Sequence, residues 1–449
     1  MDATPDGIAL SSLIAGLSCA LDLAEGEPPG HAQRSCLIGM RLAHELGIAA
    51  DMRSDLFYAL LLKDAGCTAN AAHMAALFGA DDQIAKRTSK FVDWSRPLSA
   101  FVWSVRTVAP RRSLAAKTER LWAIRNEETV TRSLMMARCH QGAEIARKLG
   151  FADATANAIL ALDEHWDGCG QPNGLKATEI PLAARIMCLA QTVEVFHFVR
   201  GVDKACRIAT RRSGKWFDPD LVAALISFRR DADFWRSLAQ PDVSAVEPRD
   251  RVLIVDQGRL DGIAQAFGDV IGAKSTWTEA HGDRVSAVAT KVAAQLGFDA
   301  LAQRDLGRVA RLHDIGKLSI SNRILDRPGP LSQAEWRAIK MHPLHSERIL
   351  ERVPSFNTLA PIAGAHHERL DGSGYPRGLG ADELTMPMRV LAVADVYAAL
   401  VAERPYRSAY TPQRALELMS TEAPKRFDSD ALAVLENVVL DQVARAKWP

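Results

Sequence analysis

The sequence predicts an all-α protein that builds one helical bundle twice. Three observations carry that expectation. Apolar residues recur at helical spacing along most of the 449 residues. Strand-like alternation is scarce, and its best candidate, Arg251-Val252-Leu253-Ile254-Val255-Asp256, is short. The chain also repeats itself. Lys63-Asp64-Ala65-Gly66 aligns with His313-Asp314-Ile315-Gly316 at an offset of 250, and His31 aligns with His281 at the same offset. Further on, Glu164-His165-Trp166-Asp167-Gly168-Cys169-Gly170 aligns with Glu368-Arg369-Leu370-Asp371-Gly372-Ser373-Gly374 at an offset of 204, as Arg185 does with Arg389. Phe217-Asp218 and Phe427-Asp428 close the two copies. The drop in offset leaves about 46 extra residues in the first copy, within 67–137.

Taken in order, the first 33 residues hold no Lys or Arg. The apolar stretch Ile8 to Leu21 lacks the basic leader of a secretion signal and is too short to cross a bilayer, so it reads as a core helix. No unbroken apolar stretch reaches about 18 residues, so no membrane span is expected. The net charge of +1 argues against bulk electrostatic attraction to nucleic acid or an acidic membrane. Seven scattered cysteines, none in a C-x-x-C pair, suit reduced thiols in a cytoplasm and not a zinc knuckle. The repeat divides the chain into a first domain, 1–240, a linker, 241–256, and a second domain, 257–449.

The chemistry gathers in the second copy. Six of the twelve histidines fall there: His281, His313, His342, His345, His366 and His367. His281 shares a helical stripe with Val285, Val288, Ala289, Val292 and Ala293, and His313 continues the stripe of Leu306, Val309 and Ala310. Asp395 lies on a stripe with Leu391, Ala394 and Ala398. Polar ligands on apolar faces are costly unless something neutralises them. Imidazoles and carboxylates without thiolates suit Fe, Mn, Co, Ni or Zn with open coordination positions. Asp371 to Leu379 holds three glycines and a proline, which makes it a loop, and Tyr375 offers it a ring and a hydroxyl. Arg404-Pro405-Tyr406-Arg407 carries two guanidiniums suited to gripping phosphate.

These motifs together resemble the HD-GYP family, the branch of the HD metal-dependent phosphohydrolases that opens cyclic di-GMP: His313-Asp314 with Lys317, His366-His367-Glu368 through Gly374-Tyr375-Pro376, Ala394-Asp395, and Arg404 with Arg407. The resemblance covers roughly 257–449 and implies two tandem HD-type bundles. It implies His281, His313, Asp314, His342, His366, His367 and Asp395 as ligands of two divalent transition metals, with Fe or Mn foremost. His342, in Met341-His342-Pro343, fits the family's His-Pro motif where His345 does not. Asp314 and Lys317 take catalytic roles, and Lys317, Gly374, Tyr375, Pro376, Arg404 and Arg407 contact the dinucleotide. The Glu that adds a third metal in some members is replaced by Trp277, with Glu279 out of register. The implied reaction is hydrolysis of cyclic di-GMP to pGpG, with GMP as a further product left open.

The first copy resembles the same family with its chemistry lost. Lys63 replaces the His of the His-Asp pair, Cys67 stands for Lys317, and Arg138 for His342. Leu162-Asp163 replace the His pair, Gln191 replaces Asp395, and Gln171 replaces Tyr375. No metal and no hydrolysis are expected there, and the copy is left to pack against its twin, dimerise or sense a signal. Two alternatives stay open for the whole chain: a hydrolase of another nucleotide, and a cyclic-dinucleotide-binding regulatory module with vestigial hydrolysis.

Overall fold

The computed structural model describes residues 8–94, 96–109, 113, 117–118, 120, 128–248, 254–275, 280–403, 407–423 and 425–444. Helices dominate these residues; the described strands are Ile8–Ala9 and Ile254–Val255, which pair antiparallel. The chain divides into two compact units. The first takes residues 1–259 with Ser321–Arg323, and the second takes the remainder from Leu260 onward.

The expected linker, 241–256, is in part a packed element of the first unit. Val243 is buried, Glu247 accepts a 2.6 Å hydrogen bond from Ser11, and Val255 pairs with Ile8. Its two prolines and several charges suit a linker, but its apolar residues still find a partner. The apolar N-terminal stretch forms the buried helix Leu10–Ala24. The region of the first copy's extra residues holds the helices Ala71–Phe78, Asp82–Ser89 and Pro97–Thr107.

One helix bears on the expectation of no membrane span. Leu182–Arg212 is, among the described residues, a helix long and apolar enough by composition to cross a membrane. Its apolar window is interrupted by Arg185 and Glu194, so no unbroken run shows in the sequence. In the structure 56% of that window is buried inside the protein, where Met187, Leu189 and Ala190 join the core.

Each unit repeats one packing scheme. In the first, the helix His31–Glu45 packs on Ala50–Leu62 and on Leu182–Arg212. In the second, His281–Gln295 packs on Ala300–Leu312 and on Met386–Leu400. The apolar stripes explain this: Val285, Ala289, Val292, Val309, Ala310, Leu391 and Ala394 are each at most 1% exposed. Burying each such valine or leucine contributes about 1.5–3 kcal/mol. Ion pairs repeat with the fold, Arg185–Asp218 at 2.7 Å and Arg389–Asp428 at 2.8 Å.

A glycine sets the closest approach in both units. A Cβ on Gly316 would lie 2.0 Å from the carbonyl oxygen of His342, and one on Gly66 would lie 1.9 Å from that of Arg138. The turn after each Asp therefore sits directly on the helix bearing His342 or Arg138. Gly316→Ala is expected to cost about 1–3 kcal/mol through overpacking. Urea denaturation followed by circular dichroism reads this as a lower midpoint, and an unchanged midpoint contradicts it.

Candidate metal centre and cleft

The second unit brings all seven predicted ligand residues to one place. His281 opens its helix, His313 caps the end of Ala300–Leu312, and Asp314 begins the following turn. His342 opens His342–Leu350, His366 and His367 follow the short helix Ala360–Gly364, and Asp395 sits mid-helix in Met386–Leu400. All are buried except His367, whose side chain is 19% exposed.

Asp314 spans the cluster. Its Oδ1 lies 3.1 Å from His342 Nε2 and 3.7 Å from His366 Nε2. Its Oδ2 lies 3.5 Å from His313 Nε2, 4.0 Å from His281 Nε2 and 2.5 Å from Lys317 Nζ. Asp395 does likewise, with Oδ1 3.0 Å from His281 Nε2 and Oδ2 3.6 Å from His367 Nδ1. Three tight donor groups result: His281, His313 and Asp395; His313, Asp314 and His366; and His342, His366 and His367.

The hydrogen bonds behind the rings show what the cluster is prepared for. His313, His342 and His366 each donate Nδ1–H to the carbonyl three residues back, at 2.7, 2.7 and 2.6 Å. That fixes the tautomer and leaves every Nε2 with a lone pair aimed inward. The Nε2 atoms of His342 and His366 then face each other at 3.1 Å, lone pair to lone pair. Nε2 of His313 is buried without a hydrogen-bond partner. Opposed lone pairs and an orphaned nitrogen are unfavourable without a cation among them, so the residues fit divalent metal.

Electrostatics agree. Burial pushes the imidazoles of His281 and His342 below the usual range despite the carboxylates beside them. Burial and neighbouring rings hold His366 well below it, and burial does the same for His367. His313 alone is raised, because Asp314 and Asp395 outweigh its burial. Burial alone would raise Asp314, but Lys317 and His313 hold it well below the carboxylate range. For the four lowered imidazoles and for both carboxylates, neutral rings beside ionised acids are the protonation state that metal binding requires.

An open cleft of about 510 Å³ adjoins the cluster, lined by Lys317, Trp336, His342, His367, Arg369, Tyr375, Asp395 and Arg407 among others. Glu368 anchors the glycine loop on its wall, accepting backbone N–H bonds from Arg377, Gly378 and Leu379 at 2.8–3.1 Å. Gly374 is required by close approach, since a Cβ there would sit 2.4 Å from Cα of Glu368. Tyr375 N–H donates to the His367 carbonyl, which ties the loop to the imidazole pair. The Tyr375-Pro376 bond is cis.

Two sequence expectations come out differently or incompletely, and His345 stays outside the ligand set as expected. Arg407 does not present a free fork: Nη1 donates to the carbonyls of Leu400 and Ser408, and Nη2 to that of Ala399. It closes the end of the Asp395 helix, where exposed carbonyls attract a cation, and only its edge remains for the cleft. Arg404, Trp277 and Glu279 lie outside the described residues. His345 stands apart from the cluster, 2.6 Å from Ser319 Oγ. The sequence also gave no notice of Arg369, whose guanidinium lies 4.9 Å from the Phe427 ring and adds positive charge to the cleft. Its signal was faint, because one Arg after a conspicuous His pair looks like a surface charge.

The first unit fills the corresponding positions with its own cations. Lys63 Nζ is salt-bridged to Asp64 Oδ2, with both side chains fully buried. Arg138 donates to Asp163 at 3.0 Å and lies 3.8 Å from Asp64 Oδ1. Asp64 thus meets an ammonium on one oxygen and a guanidinium near the other, where Asp314 meets the Lys317 ammonium and two sets of imidazoles. His31, the remaining imidazole, is taken by Glu194, which also accepts from Arg34 Nε. Burial alone would raise Glu194, but His31 and Arg34 outweigh it and hold it at about 2.

The profile of the HD domain matches residues 112–221 and 265–431. The 3'3'-cGAMP-specific phosphodiesterase 3 of Vibrio cholerae serotype O1 is 40% identical over 96% of this chain and 94% of its own length. A cyclic di-GMP phosphodiesterase response regulator of Xanthomonas campestris is 39% identical over 34% of this chain and 40% of its own length. A crystal structure of a cyclic GMP-AMP-specific phosphodiesterase from V. cholerae superposes with a TM-score of 0.67 at 35% identity, covering 97% of this chain and 98% of that one. The chain belongs to the HD domain family, in its HD-GYP branch, with tandem copies of which the first is degenerate. HD-domain phosphohydrolases depend on metal.

Lys63→Met is expected to destabilise the first unit by about 3–5 kcal/mol, because it strips the buried Asp64 of its contacting cation. Lys63→Met combined with Asp64→Leu should recover most of that loss. Denaturant titrations of both variants decide it. A single variant as stable as the parent contradicts the ion-pair account.

Proposed function

We propose that the second unit is a metal-dependent phosphodiesterase for cyclic dinucleotides, with 3'3'-cGAMP as its preferred substrate. The observation that carries the chemistry is the inward convergence of the Nε2 atoms of His313, His342 and His366 on Asp314, beside a cleft rimmed with cationic and aromatic groups. The preference for 3'3'-cGAMP draws support from the Vibrio relative named for it, which matches across both units. Cyclic di-GMP is the second reading. It is favoured by the complete glycine loop with Tyr375-Pro376 and by relatives named for that substrate, each matching a smaller share of the chain.

In this reading divalent metal would be held by Asp314 together with His281, His313 and Asp395 on one side and His342, His366 and His367 on the other. Bound metal would supply Lewis acidity at a phosphoryl oxygen and a water of lowered pKa. The protein's own groups do the rest. Lys317, in contact with Asp314 and on the cleft wall, is suited to neutralise a phosphate or the leaving oxygen. Arg369 and the free edge of Arg407 add attraction for the second phosphate. The Asp314–Lys317 contact also holds the carboxylate ionised, as metal ligation requires. Six of the seven cysteines are buried and none is in a disulfide, which supports a reducing cytoplasm as the working compartment.

The test is turnover of 3'3'-cGAMP and cyclic di-GMP by protein loaded with Mn or Fe, resolved by chromatography. Linear dinucleotide should form from both, with the higher kcat/KM for 3'3'-cGAMP. A higher value for cyclic di-GMP overturns the preference, and no product from either overturns the activity. His313→Ala and Asp314→Ala should each lower kcat by at least about 10³-fold with helical content kept, whereas Lys317→Ala should lower it by roughly 10²–10³-fold.

A further inference from the structure

Trp336 is a large aromatic side chain with no evident structural duty. It lies on the helix Gln333–Lys340, is 45% exposed, and lines the cleft. Its indole N–H makes no hydrogen bond among the described residues. The ring centroid lies 6.2 Å from that of Tyr375, at 66° between planes. Tyr375 in turn lies 4.8 Å from the ring of His367. Aromatic surface therefore runs continuously from the imidazole cluster to the mouth of the cleft. Lys340, one helical turn after Trp336, holds its Nζ 5.8 Å from the indole and 5.4 Å from the Tyr375 ring. An ammonium there can reach the edge of a ring lying against the indole, where a purine presents N7 and, in guanine, O6 as acceptors.

The first unit provides an internal control. At the offset of 204, Trp336 aligns with Arg132, Lys340 with Met136 and Tyr375 with Gln171. The contact between this helix and the glycine loop survives there: Arg132 Nε donates to the Pro172 carbonyl at 3.1 Å. Holding the loop in place therefore needs no aromatic ring. The tryptophan, the lysine and the tyrosine are present together in the unit that has the imidazole cluster, and replaced together in the unit that lacks it.

We propose that Trp336 is a nucleobase-stacking residue that holds one purine of the substrate at the mouth of the cleft. The inference rests on the cyclic-dinucleotide reading. Stacking on an exposed face contributes equally to substrate and transition state, so its loss raises KM and spares kcat.

The experiment compares wild type, Trp336→Ala and Trp336→Phe, all metal-loaded. It measures kcat and KM with 3'3'-cGAMP and cyclic di-GMP, and affinity for their non-hydrolysable phosphorothioate analogues by calorimetry. Trp336→Ala is expected to weaken analogue binding and raise KM by about 5- to 150-fold, the range of one base stack, with kcat within about threefold. Trp336→Phe, which keeps an aromatic face, should bind within about threefold of wild type. An alanine variant that binds within twofold of wild type overturns the proposal, as does a phenylalanine variant as weak as alanine. If alanine fails to fold, the phenylalanine variant and Trp336→Leu, of similar bulk without a π face, decide the matter by the same criterion. Wild type that binds the analogues but turns over neither dinucleotide refutes the hydrolase reading alone, and the binding arm still decides Trp336. Wild type that binds neither analogue overturns both.

Discussion

A buried carboxylate needs a cation, and each unit of this protein is arranged around one. Asp314 and Asp64 occupy the same position after the same helix, and both are at most 3% exposed. An isolated charge at such depth is prohibitive. The two units meet the requirement differently. The first supplies Lys63 and Arg138 from its own chain. The second gives Asp314 one ammonium, that of Lys317, and otherwise imidazoles whose inward lone pairs offset none of the charge and leave room for metal. The glycine after each Asp, the helix packed upon it and the anchored loop nearby are shared because both solutions need the carboxylate in one fixed place.

This contrast gives the degenerate copy a physical meaning. Losing the ligands singly would strand Asp64 beside too few positive charges. Lys63, Arg138 and the Glu194 acceptor for His31 form a coherent replacement, in which Asp64 and His31 Nδ1 each meet a charged partner. Lys63 and Arg138 stand where His313 and His342 stand in the second unit, so the imidazoles that would hold a divalent ion beside Asp64 are replaced by cations that repel one.

Much of this was legible in the sequence, because metal sites and core stripes leave residue types at fixed spacing. The His and Asp positions stood out as polar residues on apolar faces, and the internal repeat gave the register between copies. What stayed hidden depends on three-dimensional neighbours. Arg407 looks like a phosphate clamp until the carbonyls of Ala399 and Leu400 are seen to take its fork. Arg138 looks like a lost histidine until it is found between Asp163 and Asp64. Trp336 is one of nine tryptophans, and only its place beside Tyr375 distinguishes it. The helix Leu182–Arg212 carries a composition that also suits a membrane, and its packing in the core decides otherwise.

The most direct test of the central claim is metal stoichiometry by elemental analysis. The full chain, saturated with Mn and freed of excess, should hold two ions. Asp314→Ala should hold none, and Asp64→Ala should still hold two. Retention of metal by Asp314→Ala, or loss of it in a folded Asp64→Ala, would contradict the assignment of metal to one unit and side-chain cations to the other.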